Sequence, residues 1–195
     1  MKKLLELYIY IQKKGFKDTA KRIKSRYTKI IKYRINAIDL DDNLDNSIDK
    51  IEYAVIIDDL ALLENLRKPR DDLPREFYID KTHGGKKFFL FLLNSEPVYI
   101  HWVFGKNEYS KFCNIQDEKT VELQFGYTMP AFRGKQILAK ALDYTCQHLR
   151  WKGYKRVVNV VSEGNVNCIR GMKASGLKPI AHVTSYFSFI KKVKL

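Results

Sequence analysis

Residues 121–142, VELQFGYTMPAFRGKQILAKAL, run a strand into a helix through a basic turn that contains a glycine. Arg133, Gly134, Lys135 and Gln136 stand where the unpaired backbone N–H groups of a helix start point outward, and the helix dipole adds about half a positive charge there. Such a turn is built to hold a phosphate or another anionic ligand. After it come an apolar helical stripe, Ile137, Leu138, Ala141, Leu142, Thr145 and Leu149, then Gly153 and a strand over 155–161. Together these make a βαβ-like unit, and the rest of the chain is read outward from it.

Upstream, residues 87–93 and 97–104 are aromatic and β-branched runs separated by Asn94, Ser95 and Glu96, the pattern of an antiparallel hairpin. A strand is expected over 120–128. Downstream, a short helix is expected over 166–174, with Gly176 as its stop and a last β stretch from 178 to about 190. Residues 33–40 alternate well enough for a first strand. The acidic run Asp39, Asp41, Asp42 and Asp45 then reads as a loop without the glycine and terminal glutamate of an EF-hand. Residues 51–66 read as helical in their second half, followed by a break near Pro69 and Pro74.

Residues 1–34 read as two short basic helices broken near Gly15, the second with Phe16, Ala20, Ile23, Tyr27 and Ile30 on one face. A peripheral membrane contact or a nucleic-acid arm would use the basic face; a helix packed on the domain with its charges in water is the plainer reading. The chain has 195 residues and a formal net charge of +14, unevenly spread. Residues 1–34 carry 12 basic and 2 acidic side chains, residues 35–80 carry 5 and 13, and residues 81–195 carry 19 and 7. This pattern fits contact between the acidic middle and its neighbours, or an anionic partner on the uncovered basic surface. The apolar runs are too short for a membrane span and the N-terminus lacks a signal-peptide pattern, so a cytoplasmic protein is expected. Three scattered cysteines, Cys113, Cys146 and Cys168, suggest buried thiols, and neither they nor the four histidines have metal spacing, so no metal is assigned.

The order of elements and their punctuation resemble the GNAT superfamily of acyl-CoA-dependent N-acyltransferases over roughly residues 86–190. That family's cofactor motif runs Gln or Arg, two residues, Gly, one residue, then Gly or Ala; the matching residues here are Arg133, Gly134, Lys135, Gln136, Ile137 and Leu138. Pro130 matches the proline that commonly precedes it, and Asn165 stands eleven residues before Gly176, as an asparagine does in the family. Gln136 and Leu138 replace small residues, and Met172 stands where many members carry a tyrosine that protonates the leaving thiolate. The resemblance implies an α/β (α+β) fold with a mixed, mostly antiparallel central sheet flanked by helices over 35–195, preceded by the basic helical extension 1–34. It also implies acetyl-CoA as co-substrate and a primary amine as acceptor.

Physically, the pyrophosphate of such a co-substrate needs backbone donors, which the stretch from Lys135 to Ala139 offers, with charge from Arg133 and Lys135. Gly126 hints at a bulge or a plain strand glycine; in this family a bulge opens the slot for the pantetheine arm. Tyr127, Thr128 and Met129 would then line it, with a backbone N–H near Tyr127 or Thr128 as oxyanion donor. Asn165 could bind the arm or cap the following helix. An alkylammonium acceptor, pKa near ~10, must lose a proton first. Glu122 is the candidate base, placed by strand alternation on one face with Gln124, Gly126 and Thr128, or else a surface glutamate. Tyr186 is the substitute for the missing acid, or else a packing aromatic. Cys168 reads as a buried small residue rather than a nucleophile.

The leading expectation is thus acetyl transfer to a small acceptor that the charge balance makes anionic; the helical extension with a compact GNAT-like domain resembles stand-alone enzymes that acetylate amino sugars carried on nucleotides, with protein lysine or N-terminal amines as the other acceptors. A non-catalytic CoA-binding domain or a basic nucleic-acid-binding protein is the alternative from another class.

Overall fold

A computed structural model describes residues 30–40, 52–185, 190 and 192–195. The elements, in chain order, are β1 (Ile31–Asp39), β2 (Ala54–Ile57), α1 (Leu60–Arg67), a 3₁₀ turn (Arg75–Tyr78) leading into α2 (Ile79–His83), β3 (Lys87–Leu93) and β4 (Glu96–Phe104). There follow β5 (Cys113–Asn114), β6 (Thr120–Thr128), a 3₁₀ turn (Pro130–Phe132), α3 (Ile137–Trp151), β7 (Arg156–Ser162), α4 (Val166–Ala174), β8 (Lys178–Ser185) and β9 (Val193–Lys194). The basic extension lies outside the described residues up to position 29, and Ile31 already belongs to β1. The acidic run after Leu40 lies outside them too.

Local chemistry explains the joints. Asn94 and Ser95 have φ of 50° and 66°, the two positive values a tight hairpin turn needs to match the strand twist, so Glu96 falls within β4. Gly153, at φ 87°, ends α3 in the left-handed region, and the Tyr154 N–H donates back to the Leu149 carbonyl. Gly176, at φ 77°, does the same for α4, with the Leu177 N–H on the Met172 carbonyl.

Seven strands form one sheet in the order β2-β3-β4-β6-β7-β1-β8. Every pairing is antiparallel except β6 with β7, the two strands that α3 connects. α3 and α4 cover one face through Ile137, Leu142, Cys146 and Met172, packed on Phe89, Phe91, Val121 and Val157. The other face has two covers. The segment from α1 to α2 buries Leu63, Phe77 and Ile79 against Phe88 and Trp102 of β3 and β4. The small β5–β9 pair buries Cys113 and Ile115 against Ile35, Val158 and Val183 of β1, β7 and β8. Between these two covers, over β6 and β7, the described residues leave the sheet partly open.

Among the described residues no helix is long and apolar enough to cross a membrane.

Candidate active site

The opening starts where β6 and β7 part. Their pairing runs from Thr120 opposite Arg156 to Leu123 opposite Asn159, and the Asn159 side chain closes it by donating to the Leu123 carbonyl at 2.8 Å. Beyond this apex β6 follows β4, with Tyr127 opposite Ile100, while β7 follows β1, with Ser162 opposite Tyr33. A wedge-shaped gap is the result.

A β-bulge causes the divergence. Trp102 faces Gln124 but Ile100 faces Tyr127, so two residues of β6, Phe125 and Gly126, stand opposite the single residue His101. Phe125 takes the extra step with φ 53°. The residue that permits a close approach is Gly126: a Cβ there would lie 2.8 Å from Tyr99 Oη. The extra residue also corrects the alternation expected from sequence. Glu122 and Gln124 share one face, but the odd insertion turns Thr128 onto the helix-covered face with Tyr99, and Tyr127 onto the face of Glu122. Since the Met129 N–H donates to the Val98 carbonyl, alternation points the Thr128 N–H away from β4, into the gap.

The mouth of the gap carries the basic turn. Gly134 (φ 79°) and Gln136 (φ 56°) both lie in the left-handed region, so Gln136 occupies a backbone geometry that favours glycine. α3 starts with no side-chain cap and no acid in its first turn. Its first intrahelical bond is the Lys140 N–H to the Gln136 carbonyl, so the N–H groups of Ile137, Leu138 and Ala139 precede the ladder. Arg133 donates through Nε to the Thr128 carbonyl at 3.2 Å and lies over the Tyr127 ring at 5.4 Å. Lys135 lies over Phe132 at 5.3 Å. Two cations thus flank an uncapped helix start beside the gap.

Beside the apex of the gap two buried acceptors lack partners, Glu122 standing one residue before the apex where it still pairs with Val158. Asn159 Oδ1 does so at the apex, on the helix face; Glu122 Oε2 does so on the opposite face. Glu122 is 1% exposed, and burial pushes its carboxyl up to about 7, against the pull of a Ser110 hydrogen bond and the Lys192 charge. A group with that affinity exchanges protons near neutrality. Glu122, Gln124, Phe125 and Val160 form the floor of a cavity of about 190 Å³. Its remaining walls, Tyr109, Lys111 and Phe112, come from the loop between β4 and β5, which Gln124 holds by donating to the Tyr109 carbonyl at 2.8 Å.

The structure therefore brings Tyr127, Thr128, Met129 and the turn from Arg133 to Ala139 around one gap, and places Glu122 one residue before its apex, in a cavity on the face away from α3. Asn165 caps α4, its Oδ1 accepting from the Cys168 N–H at 3.2 Å. Leu138 has a physical reason for its size: it fills the space opposite Gly171, where a Cβ would come within 2.6 Å of Leu138 Cδ2. Met172 is buried, and its sulfur accepts from Asn36 Nδ2 at 3.4 Å. Tyr186 lies outside the described residues. Burial raises the Cys168 thiol to about 11, which disfavours a nucleophilic thiolate. Among the described residues no cluster of metal-ligating side chains occurs. Asn159, Tyr99 and the loop of Tyr109 and Phe112 were not marked by any sequence pattern; only the pairing ladder and the aromatic content of 109–112 bear on them.

No protein-family model and no curated protein matches the chain. Solved structures do. A GNAT-family acetyltransferase from Colwellia psychrerythraea matches with a TM-score of 0.56 and 13% identity, over 81% of this chain and 56% of that one. A GCN5-related N-acetyltransferase from Sphaerobacter thermophilus matches with 0.55 and 13%, over 85% and 54%. The GCN5-related glucosamine N-acetyltransferase region of a fungal multi-domain GH3 β-N-acetylglucosaminidase matches with 0.58 and 10%, over 86% and 22%. The chain thus spans little more than half the length of the two bacterial proteins. At these identities the likeness is one of fold, and that fold is the GNAT fold.

Proposed function

We propose that this chain is an N-acyltransferase that moves an acetyl or short acyl group from acyl-CoA to a primary amine by direct attack. The observation that carries this reading is the gap between β6 and β7, with an uncapped helix start at its mouth and an orphaned carboxylate oxygen one residue before its apex.

The residues present fit acyl-CoA. Its diphosphate would be held by the N–H groups of Ile137, Leu138 and Ala139, with Arg133 and Lys135 supplying charge. Gly134 and Gln136, in their left-handed conformations, turn the chain so that these donors face outward. The edge of β6 at Tyr127, Thr128 and Met129 would line the pantetheine arm, and Asn159 Oδ1 offers an acceptor to one of its amide N–H groups. Asn165 contributes by fixing the start of α4 beside that arm. The co-substrate supplies an activated thioester. The Thr128 N–H donates to its carbonyl oxygen, where negative charge develops during attack. Glu122 takes the proton from the acceptor amine, its raised carboxyl being a competent base at neutral pH. Tyr186 remains the proposed proton donor to the departing sulfur. The nucleotide-linked amino sugar expected as acceptor rests on net charge and on the resemblance.

A second reading, a CoA-binding protein without turnover, draws on the buried methionine at 172. Calorimetry with CoA and release of free thiol from acetyl-CoA with a panel of amines separate the two. Binding with thiol release supports the enzyme, binding without release supports the second reading, and no binding overturns both.

A further inference from the structure

The cavity over Glu122 has a chemical character that the net charge of the chain does not foretell. One wall is the stacked pair Tyr109 and Phe125, with ring centroids 6.1 Å apart and planes at 27°, and Phe125 packs against the cluster under β3 and β4. Phe112 comes from the other side, packed on Tyr33 at 4.4 Å within the cluster under β1 and β7. Val160 completes an apolar lining. The polar groups are few. Gln124 donates an amide N–H to the Tyr109 carbonyl, Lys111 lies with Nζ over the Phe112 ring at 5.3 Å, and Glu122, hydrogen-bonded to Ser110 and within the field of Lys192, keeps one oxygen without a partner.

We propose that the acceptor is a primary amine on a flat or aliphatic apolar stem, an arylalkylamine or alkylamine, with its nitrogen on Glu122 Oε2 and its stem between Tyr109, Phe125 and Phe112. This rests on the transferase reading above and assigns the class of its second substrate. Three arguments carry it. An ammonium group approaching a buried carboxylate between aromatic faces gains both an ion pair and cation–π attraction. The cavity, about 190 Å³, suits a single ring with a short chain, given that about 150 Å³ suffices for benzene. A sugar ring, by contrast, would lay its hydroxyl groups against Phe112, Phe125 and Val160, where each loses water without gaining a partner. Glu122 first takes a proton from the ammonium group to give the neutral amine; attack then forms the N–C bond and breaks the C–S bond, and the second proton shed by the attacking nitrogen goes to the departing sulfur, which leaves as the thiol of CoA.

The test uses the full chain. Ligand-observed NMR at about pH 8, above the Glu122 range, compares phenethylamine, hexylamine, glucosamine and a nucleotide-linked amino sugar, with and without CoA. The two apolar amines are expected to bind and the two sugars to bind at least about tenfold more weakly. Tyr109→Ala, on an exposed loop, should weaken phenethylamine about tenfold, and Val160→Phe, which fills the cavity instead of emptying it, should do the same. Preference for either sugar, binding of none of the four, or unchanged affinity in both variants would overturn the assignment. CoA affinity is read separately by calorimetry: its absence sinks the transferase reading, whereas CoA binding with a sugar preference sinks only the acceptor class.

Discussion

Tyr99 Oη and Gly126 touch across the bulge so closely that a methyl group on the glycine would sit 2.8 Å from the hydroxyl oxygen, with the next ring atom, Cζ, at 3.6 Å. Gly126→Ala should therefore destabilise the fold by about 1–3 kcal/mol, the usual range for overpacking. Tyr99→Phe in the same chain should recover most of that loss, because only the oxygen is in conflict. Thermal unfolding of the two single variants and the double variant checks it; additive losses would mean that the contact is not what limits position 126.

Glu122 should make stability and activity respond to pH in opposite directions. Its folded carboxyl, raised to about 7 by burial, binds a proton that the unfolded chain releases near about 4.3. The folded state is thus favoured by protonation, and as pH rises through this window burying the charge comes to cost on the order of 3 kcal/mol. Glu122→Gln should match the wild type in unfolding free energy near about pH 4 and exceed it near about pH 8. In the same variant, kcat/KM for the amine should fall and lose its rise through about pH 7. An unchanged pH profile would remove Glu122 as the base.

Arg133→Glu reverses charge at the mouth of the gap and breaks the hydrogen bond to the Thr128 carbonyl. CoA affinity should drop by about tenfold or more, since a charge-assisted contact is lost and a repulsion added. Calorimetry at two salt concentrations reads the effect, which should shrink as salt screens it. Equal affinity in both proteins would place the phosphates elsewhere.

Leu138 and Gly171 exchange bulk between α3 and α4. Gly171→Ala should cost about 1–3 kcal/mol through its clash with Leu138 Cδ2, despite alanine's better helix propensity. Leu138→Ala should relieve it in the double variant. A stabilised Gly171→Ala protein would show that the helices move apart freely.

Much of this architecture is legible in the sequence. The stripe from Ile137 to Leu149 and the stop at Gly153 mark α3 because periodicity and a left-handed glycine are local properties. Asn165 is legible as a cap for the same reason. Strict alternation puts Thr128 on the face of Glu122 because it counts residues, and nothing in the letters of Phe125 and Gly126 states that they share one partner. The aromatic loop of Tyr109 and Phe112 carries no sequence signal because its relation to Glu122 arises only when two clusters meet on one face of the sheet. β2, four residues at the sheet edge, was too short to carry a pattern.

The bulge makes β6 more sensitive to length than to spelling. Substituting Phe125 by another residue leaves the count opposite His101 intact, whereas deleting it would restore strict alternation and invert Tyr127, Thr128 and Met129 together. Insertions and deletions at this point should thus be the lesions the strand tolerates least, since one frame of side chains would be traded for its mirror across the sheet.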